Sequence, residues 1–319
     1  MIPCPICGGD SVLARSLPRD FIEAALRQYY SMDIPASAGL RDYELLRCTR
    51  CTLQFASPMI AGTDGFYDWL SRQNGYYPQS RGEWDQVIRA LSTVPAGATL
   101  IEIGCGNGRF LELVRDRSTV SGIGLDITQN AVDECHRKGL VAHAVAIEAF
   151  IPDKPADFVV AFHCLEHVER PLELVKSMAG LLAPGGQIFI ATPYSPMCFE
   201  GQWYDPMNHP PHHMSRWNAN SYRQLARQLG MQIEFIIEHQ RGIPGRVLES
   251  LNLAQFGPGR PRQSRPREIL RSLGHPIKLL REIVYQMRRE KVDGKVAPDG
   301  VLVRLWREPP DSAPNQPAH

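Results

Sequence analysis

Thr99-Leu-Ile-Glu-Ile-Gly104-Cys-Gly106-Asn-Gly108-Arg-Phe110 runs a short apolar strand into a glycine-rich turn and on into a segment with helical spacing, Arg109–Arg117. The glycines remove the Cβ atoms that would hold a ligand away from the backbone, and they permit the dihedrals that such a turn demands. A dinucleotide fingerprint would need its third glycine at position 109, where Arg109 stands. No Gly-Lys-Ser/Thr follows, which excludes a P-loop. Asp126 lies 18 residues after Gly108, at the end of the next apolar run. An acidic side chain there is placed to accept both hydroxyls of a ribose, so the turn predicts a nucleoside ligand in preference to a dinucleotide.

Outward from this turn the chain alternates short apolar runs with amphipathic segments. Candidate strands are Thr99–Ile103, Val120–Asp126, Leu140–Val145, Asp157–Phe162, Gln187–Thr192, Met231–Glu238 and Val301–Trp306. The intervening segments Arg109–Arg117, Thr128–Lys138, Leu172–Leu182 and Ser221–Leu229 have helical spacing, punctuated by Gly139, Pro184-Gly185-Gly186 and Gly230. That alternation predicts an α/β fold around a mostly parallel sheet. The stretch 240–299 is too long for an ordinary connection and predicts an insertion serving as a substrate lid or oligomer surface. Residues 309–319, with four prolines and no apolar pattern, predict a disordered tail.

At 319 residues the chain is long enough for about two domains. Its 35 Lys and Arg against 34 Asp and Glu exclude a global field that steers toward nucleic acid or anionic membrane. The apolar runs, such as Phe158–Phe162, stop far short of a bilayer span. The opening Met1-Ile2-Pro3-Cys4 has neither a basic region nor an apolar one behind it, so the expected location is the cytoplasm.

Cysteine usage separates off the beginning of the chain. Cys4-Pro-Ile-Cys7 and Cys48-Thr-Arg-Cys51 place two thiols each on a tight turn around a helix-like stretch, Phe21–Tyr30. Four thiolates complete a tetrahedral Zn²⁺ with no open position, the arrangement of a structural site. A redox pair, which lacks its βαβ context here, and unligated core thiols are the alternatives. Cys105, Cys135, Cys164 and Cys198 read as buried thiols. The expected organisation is a zinc-ribbon-like module at 1–58, a linker or cofactor cap at 59–82, and the α/β core at 83–308.

Glu102-x-Gly104-x-Gly106-x-Gly108, Asp126, the strand ending in Leu165-Glu166-His167-Val168, and Pro184-Gly185-Gly186 together resemble the class I S-adenosylmethionine-dependent methyltransferases. The match covers roughly residues 83 to 240. With its cysteine-rich start, the chain also resembles bacterial methyltransferases that tailor sugars, surface glycans or natural products. The resemblance implies a Rossmann-like seven-stranded sheet with S-adenosylmethionine as cofactor. Glu102, Gly104, Cys105, Gly106 and Gly108 would form its cradle, with Asp126 on the ribose, Ile147 and Glu148 at the adenine, and His163 facing the cofactor. Tyr77 and Arg81 would cover it or pair with its carboxylate, although a linker packing its aromatics on the core explains them equally. Ala146 stands where this family often has Asp, which moves any side-chain contact with the adenine amine to Glu148.

A sulfonium methyl is already electrophilic, so the acceptor must be aligned with it and, if a hydroxyl, must lose its proton. Histidine suits the second task. His163 and His167 follow one strand; His209, His212 and His213 follow the next, in Asn208-His-Pro-Pro-His-His-Met-Ser-Arg-Trp217. His167, His212 and His213 are the candidate general bases, against purely structural roles in packing a helix or fixing a loop. Tyr194 is a weaker candidate. His163-Cys-Leu-Glu166-His167 also spells a zinc-protease motif, but it starts at a strand end and has no third ligand.

Residues 257 to 291 hold ten Lys and Arg against three acids, a patch able to contact phosphates. Ile277, Leu280, Val284 and Met287 share one helical face there, so the basic residues also read as the solvated opposite face. No Asp/Asn-Pro-Pro-Tyr/Phe follows the fourth strand. The expected acceptor is therefore a small molecule or glycan in preference to nucleic acid, with RNA methylation and non-catalytic cofactor binding as alternatives and 240–299 as a surface for self-association.

Overall fold

The computed structural model describes residues 2–73, 78–200, 204–237, 242–256 and 276–308. Tyr77, most of the basic segment and the 309–319 tail lie outside them.

Two sheets organise the described residues, beside a two-stranded hairpin of β11 (Lys291–Val292) and β12 (Lys295–Val296). The N-terminal one is antiparallel, in the order β1 (Ser11–Leu17), β2 (Tyr43–Cys48), β3 (Gln54–Ser57) and β9 (Ser215–Arg216). The larger one has seven strands: β4 (Thr99–Ile103), β5 (Ser121–Asp126), β6 (Val141–Ala144), β7 (Ala156–Phe162), β8 (Leu182–Pro193), β10 (Gln232–Ile236) and β13 (Gly300–Trp306). Their spatial order is β10-β13-β8-β7-β4-β5-β6. The strands from β6 to β8 run parallel, and β13 inserts antiparallel between β8 and β10. This seven-stranded order, with one antiparallel strand let in beside an edge, is the Rossmann-like arrangement that the resemblance implies. All seven strands expected from the sequence are found, with ends shifted by a few residues.

The sheet is covered on both faces, as its apolar strands require. Helix Arg109–Arg117 packs Phe110, Leu111 and Val114 with Leu100, Val160 and Leu302 on one side, while Val175, Met178, Tyr222 and Leu225 cover Ile101, Val159 and Ile190 on the other. Each such side chain, fully buried, stabilises the fold by about 1.5–3 kcal/mol. Chain order reverses at β4, which has β5 on one flank and β7 on the other. The crevice outside the carboxyl ends of these strands is where α/β sheets bind ligands.

Three features refine the expected organisation. The sheet of the N-terminal module is completed from beyond residue 58: Gln54 and Phe55 pair with Arg216 and Ser215 of β9, which the core supplies. Within residues 59–82, helix Asp64–Ser71 buries Phe66, Trp69 and Leu70 among Leu17, Ile22 and Leu26 of the module and Met214 of the core. Lastly, helix Pro276–Met287 turns its apolar stripe outward. Ile277, Leu280 and Met287 are more than 60% exposed, whereas Glu282 and Gln286 are buried, with the Gln286 amide donating to the Cys198 carbonyl at 2.7 Å. Polar anchoring to the segment around Cys198 decides this helix's orientation over its apolar periodicity. Among the described residues no helix is long and apolar enough to cross a membrane.

Candidate functional site

Gly104, Gly106 and Gly108 all adopt left-handed backbone, with φ of 70°, 51° and 75°. A side chain at any of them would be strained. At Gly104 a Cβ would also sit 3.2 Å from the Cys164 sulfur, and at Gly108 2.6 Å from Leu140. The turn is tied to β5 by the amides of Gly104 and Cys105, both donating to the Leu125 carbonyl, and by the Gly106 amide donating to Asp126 at 3.0 Å. Asp126 also accepts from the Thr128 amide, so its carboxylate is fixed at the strand end beside the turn. Glu102 is 4% exposed, and its Oε2 has no hydrogen-bond partner within the chain. Burial drives its carboxyl well above the usual carboxylate range. Glycines that admit a ligand, a fixed carboxylate and an orphaned buried carboxyl make a cradle that fits a nucleoside cofactor. Ile147 is buried and Glu148 exposed, both on a short 3-10 turn beyond β6.

At the end of β7, His163 takes φ 50°, a strained conformation for a residue with a side chain and one that gathers at functional sites. Its Nδ1 stands 3.3 Å from Glu166 and its Nε2 3.7 Å from Glu83. Burial pulls the imidazole's pKa down, but the two carboxylates outweigh it and raise it. Arg81 stands near the same two acids, and its own pKa is lowered by burial. The sequence reading missed Glu83 and Glu166 as site residues. Glu166 was visible beside His167, whereas nothing local marks Glu83, which reaches His163 across 80 positions of chain.

The protease-like motif comes apart here, because His163 stays with Glu83 and Glu166 while His167 joins a different group. One ring nitrogen from each of His167, His212 and His213 lies within 4.8 Å of the other two, and the ring centroids are 4.4–4.8 Å apart. His212 and His213 are buried. Burial lowers the pKa of all three, leaving neutral imidazoles near pH 7.

Their hydrogen bonds fix two tautomers. His167 Nδ1 donates to the His212 carbonyl at 2.8 Å, because a carbonyl can only accept. The Asn208 amide nitrogen donates to Glu200 at 2.9 Å, so its oxygen faces His213 and accepts from Nδ1 at 3.0 Å. Glu200 is in turn ion-paired with buried Arg216, which also donates to Gln54 at 2.7 Å and His209 Nε2 at 3.3 Å. Both nitrogens of His209 are thereby engaged, the other with the Asp205 carbonyl. Tyr194 is likewise structural, donating to Glu290 at 2.6 Å and accepting from the Ala219 amide.

On the N-terminal module, the Sγ atoms of Cys4, Cys7, Cys48 and Cys51 lie within 4.8 Å of one another, with Cys4–Cys51 at 3.6 Å and Cys7–Cys48 at 3.5 Å. A tetrahedron with Zn–S bonds near 2.3 Å has edges of about 3.8 Å. The amides of Arg50 and Cys51 donate to Cys48 Sγ at 3.3 and 3.4 Å. The donor set fits Zn²⁺. Cys105, Cys135 and Cys198 are buried and Cys164 partly so.

Residues 76–234 match the model of a methyltransferase domain family. A tRNA (carboxymethyluridine(34)-5-O)-methyltransferase of Mus musculus is 33% identical over 113 residues, 34% of this chain and 16% of that protein. A ubiquinone biosynthesis O-methyltransferase of Xylella fastidiosa is 29% identical over 139 residues, 41% of this chain and 55% of that one. The chain thus spans about half or less of the length of these curated relatives. Among solved structures, a SAM-dependent methyltransferase from Archaeoglobus fulgidus is similar with a TM-score of 0.44 at 21% identity, over 70% of this chain and 90% of that chain.

Proposed function

Residues 76–234 form a class I S-adenosylmethionine-dependent methyltransferase domain, and from that premise we propose that the chain methylates a hydroxyl or carbon of a small-molecule, sugar or natural-product acceptor. The backbone of Gly104, Cys105, Gly106 and Gly108 holds the methionine part of the cofactor. Asp126 takes the ribose, Ile147 and Glu148 flank the adenine, and Glu102, His163 and Arg81 complete the pocket. When bound, the cofactor supplies an electrophilic methyl; the chain orients the acceptor and receives the proton that a hydroxyl gives up.

The observation that carries this reading is the span His163–His167. It begins between Glu83 and Glu166 at the crevice and ends in the group of three neutral imidazoles. That arrangement supports His167, His212 and His213 as the groups that meet an acceptor and take its proton. Zn²⁺ held by Cys4, Cys7, Cys48 and Cys51 supports the module that backs them, in a cytoplasm that keeps the thiols reduced. The outward stripe of helix Pro276–Met287, within 240–299, is a surface for a second copy of the chain.

Incubation with labelled cofactor and fractionated cell extract tests the acceptor class. Label should enter small metabolites or glycans and should fall at least tenfold when His167, His212 and His213 are replaced by Ala in turn. The tRNA enzyme among the relatives makes RNA the informative alternative, and label in RNA overturns the small-molecule reading.

A further inference from the structure

We infer that His167, His212 and His213 form a second metal site, taking a divalent transition ion of the Zn²⁺ type and leaving a coordination position open. Convergence is the first ground: one nitrogen from each of the three imidazoles already lies within 4.8 Å of the others, and contraction of at most about 1.5 Å brings them to the spacing that Zn–N bonds near 2.0–2.1 Å require. Tautomer is the second ground. His167 and His213 both commit Nδ1–H to an oxygen, leaving the Nε2 lone pair available as donor.

The surroundings supply the third ground. Metal-bound histidines characteristically donate their other N–H to a carbonyl or carboxylate, with further hydrogen bonds behind that partner. Here the His212 carbonyl serves His167, and Asn208 serves His213. Behind Asn208 stand Glu200 and then Arg216, an arrangement more elaborate than filling space with three rings would need. His209 shows the contrast. It lies in the same loop but spends both nitrogens on protein partners and is absent from the cluster. Three nitrogens with a fourth position open is the ligand count of catalytic zinc, distinct from the closed four-sulfur set on the module. The open position suits water or an acceptor hydroxyl oxygen. That role deepens the acceptor-activation reading above, whereas occupancy of the site stands apart from it.

The test is metal content of the full chain after equilibration with Zn²⁺ and gel filtration, together with zinc X-ray absorption. The wild type should carry about two zinc per chain, with nitrogen scatterers near 2.0 Å beside sulfur near 2.3 Å. His213→Ala and His167→Gln should each lose about one zinc and the nitrogen shell while keeping the sulfur shell. A wild type with sulfur ligands alone overturns the inference, whether or not either variant folds. So does a folded variant that keeps the nitrogen shell. Neither readout involves methyl transfer: loss of labelling in the histidine variants with no second zinc in the wild type would leave the imidazoles as direct bases and end the metal site.

Discussion

The two sides of the crevice are built in opposite ways. The side proposed for the cofactor is nearly continuous in sequence: Glu102, the glycine turn and Asp126 come from one strand, its turn and the next strand, tied together by backbone amides. The side proposed for the acceptor is gathered from far apart. His167 follows β7, His212 and His213 sit between β8 and β9, and the chain of contacts behind them runs through Glu200 and Arg216 to Gln54 of the module. A local cradle tolerates change elsewhere in the protein, whereas an assembled one inherits the stability of every part that holds it.

The largest effect that would break this comparison comes from the module. Cys48→Ser should abolish zinc binding by the four-cysteine set and unfold the β1-β2-β3-β9 sheet, because a metal-dependent module derives its folding free energy from the ion. Methyl transfer should fall at least a hundredfold while cofactor affinity, read by calorimetry, changes only a few-fold. Equal loss of both would show that the sides are not separable.

Gly104→Ala is the converse change. The left-handed φ of 70° and a Cβ placed 3.2 Å from Cys164 should weaken cofactor binding about tenfold or more, roughly 1.4 kcal/mol. Zinc content should stay at its wild-type value. Unchanged affinity would remove the close backbone approach from the cradle.

Asp205, at the head of the histidine loop, gives the smallest and most graded effect. Burial raises its carboxyl from 3.8 to about 6. The folded state therefore favours the protonated acid, and the associated stability is present below pH 4 and lost as pH rises through 6. Asp205→Asn should match the wild type near pH 4 and exceed it by about 2–3 kcal/mol above pH 7, read as a difference in denaturant midpoint. A constant difference across that range would mean that the carboxyl is not buried as described.

The same contrast governs what could be read in the sequence. The glycine turn, Asp126 and the seven strands are legible because each is set by neighbours in the chain or by the strand period. Four cysteines at two-residue spacing announce themselves in the same way. Glu83, Asn208 and Arg216 carry no local signal, since their roles exist only once distant segments meet. β9 is two residues long, too short for any period, and is defined wholly by its partner β3. In helix Pro276–Met287 the apolar period is real, but periodicity marks a face without saying which way it points, and the buried contacts of Glu282 and Gln286 decide that.

The pairing of β9 with β3 also bears on how this protein can be re-engineered. A module cut at residue 58 would leave with a bare strand edge along Gln54–Ser57, a template for pairing with other chains. The core left behind would lose the anchor for the loop that carries its histidines. Exchange of acceptor preference between relatives therefore has to move residues 1–58 and 195–217 together, as one graft in two pieces.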